Sequence, residues 1–152
     1  MPSLQYENAM KQMNEEYPNK KLVFQLLSEA HESGDSFATY ALATWYLYGE
    51  YVEKDQLKAI EFLMAASDNN MPDALYDLAV CYEQGEGVDA NSKNAFTLYL
   101  KATLWGDEQS VYEIGRCYYY GIGVQEDKTL AEIWLEKAES LGLTDSLDDI
   151  DV

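Results

Sequence analysis

Basic residues are scarce in this chain: 10 lysines and arginines stand against 28 aspartates and glutamates, for a formal net charge of −18. That balance excludes binding nucleic acid through its phosphates, which needs a basic patch, and it disfavours an anionic membrane surface. Histidine is rarer still. The one histidine, His31, sits between Glu29 and Glu32 in a helical stretch. No catalytic Cys–His or Ser–His–Asp set can be assembled around it with identifiable partners, so it reads as a solvated helix residue. The acids are scattered, and none falls in an acidic calcium loop. The loose group "SLDDID" is a weak metal candidate, and no cofactor is implied. No apolar run approaches the length of a membrane span. The first residues, "MPSLQYENAMKQMNEE", lack the basic start and apolar core of a secretory signal. The expectation is a cytoplasmic protein whose two cysteines are reduced.

Apolar residues are plentiful at 47%, enough for the 152 residues to bury a core in one domain. Tyrosine is abundant, with 13 residues; its apolar ring and polar tip suit both helix packing and binding surfaces. These residues recur in a fixed order. "WYLYGEYVEKD" begins at Trp45, "CYEQGEGVDAN" at Cys81 and "CYYYGIGVQED" at Cys117, a step of 36 residues each time without insertion. Gly49, Gly85 and Gly121 align, as do Val52, Val88 and Val124, and Ala59, Ala95 and Ala131. A sustained period of this size marks a solenoid, in which each unit buries its apolar face only against its neighbours.

Each unit reads as two helices. In Asp73–Gly106, Ala74, Leu78, Ala79 and Tyr82 share one helical face. Gly85 stops the first helix, because a left-handed cap carries little strain only at glycine. Asn91 or Ser92 caps the second, whose buried face is Ala95, Leu98, Tyr99 and Ala102. The first helices of the units (helix A) are expected near 37–48, 73–84 and 109–120, and the second (helix B) near 56–69, 92–105 and 128–141. Residues 18–33 continue the register as another helix B, starting near Pro18 in a first-turn position, with a weakened helix A over 3–15. The sequence-based architecture is all-α, an α-solenoid of stacked hairpins with about eight helices in one domain over 1–142. It comprises a degenerate N-terminal cap hairpin (1–34) and repeats 35–70, 71–106 and 107–142. Residues 143–152, "LTDSLDDIDV", are expected to form an acidic tail. The Gly-Ile-Gly stretch after Cys117 is therefore an inter-helix turn. A dinucleotide-type phosphate loop would follow a strand.

With these residues in view, the chain resembles the Sel-one-like repeat family, relatives of the tetratricopeptide repeats. "ALYDLAVCYEQGEGVDANSKNAFTLYLKAT" and "SVYEIGRCYYYGIGVQEDKTLAEIWLEKAESLG" carry the resemblance, with the aromatic–glycine–x–glycine–valine turn, Gly115, Asp127, Trp134 and Lys137–Ala138. Residues 37–142 match strongly and 1–34 weakly. Tyr51 departs from the pattern by standing where the second turn glycine belongs. The resemblance implies a right-handed superhelix, helix A lining its concave side, and a non-enzymatic role in binding proteins or peptides. Some secreted relatives carry a disulfide within each repeat. Cys81 and Cys117 instead occupy the same place in successive repeats, too far apart to bridge at usual helix spacings.

Positions that vary between repeats mark the candidate partner-binding stripe on helix A: Tyr48, Asp77, Glu83, Glu113, Arg116, Tyr119 and Tyr120. Tyrosine and arginine are frequent binding anchors. The three acids should raise the association rate with a basic partner, and the tyrosines should slow dissociation. Arg116 either pairs with Glu113 one turn away or meets an acid of the partner. The sharpest functional expectation is an acidic immunity or inhibitor protein that neutralises a basic partner such as a toxin enzyme. A signalling or assembly adaptor is the alternative, and an enzyme or small-molecule receptor using the groove is a third.

Overall fold

A computed structural model describes residues 1–143. Among these residues there are eight helices and no strand: α1 Leu4–Met13, α2 Lys20–Glu32, α3 Ser36–Tyr48, α4 Gln56–Asp68, α5 Pro72–Gln84, α6 Ser92–Leu104, α7 Gln109–Tyr120 and α8 Lys128–Ser140. They pack as consecutive hairpins, α1 with α2, α3 with α4, α5 with α6 and α7 with α8. The all-α hairpin architecture read from the period is the one found, with helix ends within a residue or two of those expected. One start differs. Pro18 lies before α2, and Asn19 is the cap, its Oδ1 accepting the Leu22 N–H at 3.1 Å. The acidic tail lies outside the described residues except for Leu143. The helices fall into two compact units, Met1–Asn69 and a second beginning at Asn70.

In the first unit Ala9, Val23, Leu27, Ala30, Ala38, Leu42 and Trp45 form the core. The small alanines let the helices approach, and the larger side chains fill the remaining space. Asp35 caps α3, accepting the N–H groups of Phe37 and Ala38, and it also takes the Ser3 N–H at 2.6 Å. Burial pushes its carboxyl up, but these hydrogen bonds outweigh burial and hold it below its ordinary range. The turn after α3 keeps its form despite Tyr51, which takes a left-handed conformation at φ +59°. A β-carbon there costs about 1 kcal/mol or more. Ring packing offsets part of this: the Tyr51 ring lies 5.8 Å from Phe24 and 6.1 Å from Trp45.

In the second unit Ala79, Ala95, Phe96, Tyr99, Ile114 and Cys117 form one core cluster, and Ala131 with Leu135 another. Asn91 and Asp127 cap α6 and α8, accepting the N–H groups of Asn94 and Leu130 at 3.0 Å each. Gly85 and Gly121 end α5 and α7 in left-handed caps. Trp134 is packed against the core but only half-buried, so it belongs to the margin of the core and not to its centre.

Both cysteines are free and buried. Burial pushes the Cys81 thiol up to about 11 and the Cys117 thiol up to about 12. At pH 8 the thiolate fraction at Cys81 is then about a thousandth. Labelling by a thiol reagent in the native state should run orders of magnitude slower than in denaturant. Equal rates in the two conditions would contradict the burial.

Candidate partner-binding face

The candidate residues lie on helices α3, α5 and α7. Tyr48 is the last residue of α3 in the first unit and is 73% exposed. The other six belong to the second unit. Asp77 lies in the middle of α5 and is half-buried. Tyr119 and Tyr120 close α7, with ring centroids 4.9 Å apart in an edge-to-face pair. The Lys128 ammonium sits 3.4 Å over the Tyr119 ring and donates to the Tyr119 carbonyl. Tyr119 is thus held by its own hairpin, while Tyr120 is 47% exposed.

The three charged residues Glu83, Glu113 and Arg116 come together. Helical spacing places Arg116 one turn beyond Glu113, and its Nε donates to Glu113 Oε2 at 2.8 Å. Its Nη2 reaches across to α5 and donates to Glu83 Oε2 at 2.7 Å. The sequence offered Arg116 either an intrahelical or an external partner; in the structure it takes Glu113 together with a second acid from the preceding hairpin. Two tyrosines complete the group. Tyr99 on α6 donates to Glu83 Oε2 at 2.9 Å, and Tyr76 on α5 makes a long 3.5 Å contact to Glu113 Oε1.

Burial raises the cost of charge at Glu83, but the hydrogen bonds from Arg116 and Tyr99 more than compensate and hold its carboxyl below the ordinary range. For Arg116 burial works against the charge, and the two carboxylates outweigh it, so the guanidinium stays firmly protonated. Burial first, and the nearby Glu113 second, push the Tyr76 hydroxyl up to about 12. Tyr99 is raised for the same reasons, burial first.

This changes the reading of the stripe. The side chains of Arg116, Glu83 and Glu113 are only 24%, 19% and 17% exposed, and each spends its charge within the unit. Exchanging Glu83 and Glu113 for lysine would gather three cations around one point, so such a variant tests folding before it tests binding. Helix-surface acids are usually solvated, which is why sequence reasoning placed these in solvent. Tyr99 is the residue that reasoning assigned only to the core. Its signal was a tyrosine in the file of Leu63 and Leu135, where a phenolic hydroxyl inside a helix interface requires an acceptor.

Among the described residues, no group of three or more His, Cys, Asp or Glu side chains could hold a metal ion, and no helix is long and apolar enough to cross a membrane.

The chain matches the Sel1 repeat model three times, at residues 36–71, 72–104 and 109–143. No curated protein matches it. Among solved structures it is similar to c5321, described as a protective antigen of uropathogenic Escherichia coli displaying an SLR fold. The two are 26% identical over 91% of this chain, with a TM-score of 0.86; the chain spans 30% of the length of c5321. A Sel1 repeat protein from Oxalobacter formigenes is 35% identical over 76% of this chain and 87% of its own, at a TM-score of 0.70. The immunity protein Pa5087 from Pseudomonas aeruginosa is 26% identical over 91% of this chain and 52% of its own, at a TM-score of 0.62. With repeat matches over more than half of its length and helix hairpins at each of them, the chain belongs to the Sel1 repeat family.

Proposed function

We propose that this chain is a non-enzymatic protein-binding module that neutralises a basic protein partner in the cytoplasm, as an immunity protein does. The likeness to the immunity protein Pa5087 carries this reading. The net charge of −18 supports it, because a strong field of one sign speeds encounter with a partner of the other. Each unit supplies an exposed aromatic anchor, and the second supplies charge as well. Tyr48 and Tyr120 expose aromatic surface that loses contact with water on docking. The Glu83–Glu113–Arg116 group carries two carboxylates for one guanidinium and so keeps a net negative charge at a fixed place.

The test begins with copurification from the source cell and mass spectrometry of what is retained. Titration with the partner so found should show association slowing markedly as salt rises, because exposed charges are screened over about 10 Å at 0.1 M. Tyr48→Ala and Tyr120→Ala should each speed dissociation about tenfold or more, with little change in association. Unchanged affinity in both folded variants would move the interface off helix A. A partner that is acidic, or binding indifferent to salt, would overturn the electrostatic reading.

A further inference from the structure

Tyr76 and Tyr112 stand one period apart in the sequence, on α5 and α7 of the second unit. Gln109 lies one turn before Tyr112 and Glu113, so the three share a helix face. After α8 the chain turns back, the Leu143 N–H donating to the Ala138 carbonyl at 3.1 Å. Tyr76, Gln109, Tyr112, Glu113 and Leu143 together line a pocket of about 80 Å³. A single water needs about 10–15 Å³ of such space, so the pocket admits the end of a side chain but no backbone.

Its one charged wall is Glu113. The Oε2 of that carboxylate is taken by Arg116 at 2.8 Å, whereas Oε1 has, among the described residues, only the long 3.5 Å contact from Tyr76. A carboxylate oxygen accepts two hydrogen bonds, so Oε1 keeps capacity for a strong donor. The surrounding field is negative: beyond burial, Glu113, Asp107 and Asp77 all push the Tyr76 hydroxyl up. Tyrosine walls suit a cation, because a ring face attracts it and a phenolic oxygen accepts its N–H.

We infer that this pocket receives the ammonium of a lysine from the protein partner, with Glu113 Oε1 as its acceptor and Tyr76 and Tyr112 as its walls. The inference rests on the reading of the chain as a binder of a basic protein, and it names the group that enters. The state of Glu113 favours lysine over arginine. A guanidinium pairs best with both oxygens of a carboxylate at once, and Arg116 of this chain already holds one of them. An ammonium is a compact point donor on a narrow stem and needs only the other.

The test uses the chain alone with Nα-acetyl-lysine amide, followed by nuclear magnetic resonance of the tyrosine rings. The lysine probe should shift Tyr76 and Tyr112 saturably in the millimolar range, the level expected of one side chain. Nα-acetyl-norleucine amide keeps the stem without the ammonium and should give no saturable shift, and the arginine analogue should bind more weakly than lysine. Gln109→Lys places a cation at an exposed position of the rim and should weaken the lysine probe about fivefold or more. Tyr112→Leu should also weaken it by removing a wall; should that variant misfold by circular dichroism, Gln109→Lys decides alone. No saturable binding of lysine, equal binding of norleucine, arginine binding as tight as lysine, or lysine binding that ignores Gln109→Lys would each overturn the inference. No protein partner enters this titration, so its outcome is separate from the search for one. An acidic partner overturns the function proposed above, whereas a basic partner whose affinity ignores Gln109→Lys overturns the pocket alone.

Discussion

Gly123→Ala should lower the stability of the protein by about 3–5 kcal/mol, although the substitution adds a single methyl group. Two costs coincide at this position. Gly123 has φ +69°, where an L side chain is strained by about 1–2 kcal/mol. A β-carbon built there would also overlap the carbonyl oxygen of Ser92 and lie 2.9 Å from the Lys93 nitrogen, at the first turn of α6. These are backbone atoms of a capped helix and cannot swing aside, so the α7–α8 turn and α6 must separate, which opens the packing of Phe96 on Tyr118. Gly142 is the control. Its φ is +74°, but an added β-carbon would meet nothing within 4 Å. Gly142→Ala should therefore cost only the strain, and thermal melting should separate the two variants by roughly 5 °C or more. Equal losses in both would show that the close approach at Ser92 contributes nothing.

Removing the guanidinium from the polar group on helix A should have the next largest effect. Arg116→Met keeps the apolar stem but leaves Glu83 and Glu113, largely covered, without their cation. Breaking a buried pair on one side costs about 3–5 kcal/mol; with a fifth of these side chains still in contact with solvent, about 2–3 kcal/mol is the expected loss at pH 7. The pH dependence distinguishes this from lost packing. Glu83 has its folded pKa below the ordinary 4.5. In the natural protein its contribution is therefore present above that value and is lost as pH falls through the folded pKa. In Arg116→Met the preference reverses, and protonating Glu83 relieves the repulsion. The stability gap between the two proteins should be widest at neutral pH and should narrow as pH falls, first through the raised Glu83 pKa of the variant and then through the lowered one of the natural protein. Tyr99→Phe should remove only one charge-assisted hydrogen bond, about 1–2 kcal/mol. A gap for Arg116→Met that is constant from pH 7 to pH 4 would reduce the group to packing.

The sequence by itself determined the hairpins and their phase. A strict step of 36 residues repeats the alanines that let helices approach and the glycines that end helix A, and it spaces the side chains that accept the first N–H groups of α4, α6 and α8, Asp55, Asn91 and Asp127. Such features are local, so they can be read from a few residues at a time. The turn glycines were legible as a motif, but their separate duties were not: the cap at Gly121 follows from its place in the chain, whereas the need for Gly123 comes from Ser92, 31 residues earlier. Tyr51 shows the converse, a departure from the motif that aromatic neighbours on α2 and α3 accommodate.

The candidate site was legible only in part. Comparing repeats finds the positions that vary, and these include Glu83, Glu113 and Arg116. It does not say which of them meet. That depended on three helices from two hairpins, α5, α6 and α7, converging so that one guanidinium reaches two carboxylates and one phenol from the core supports them. Electrostatic pairing depends on distances of a few ångströms between residues up to 33 apart in the chain. No period encodes those distances, and only the packing of α6 on α7 brings them about.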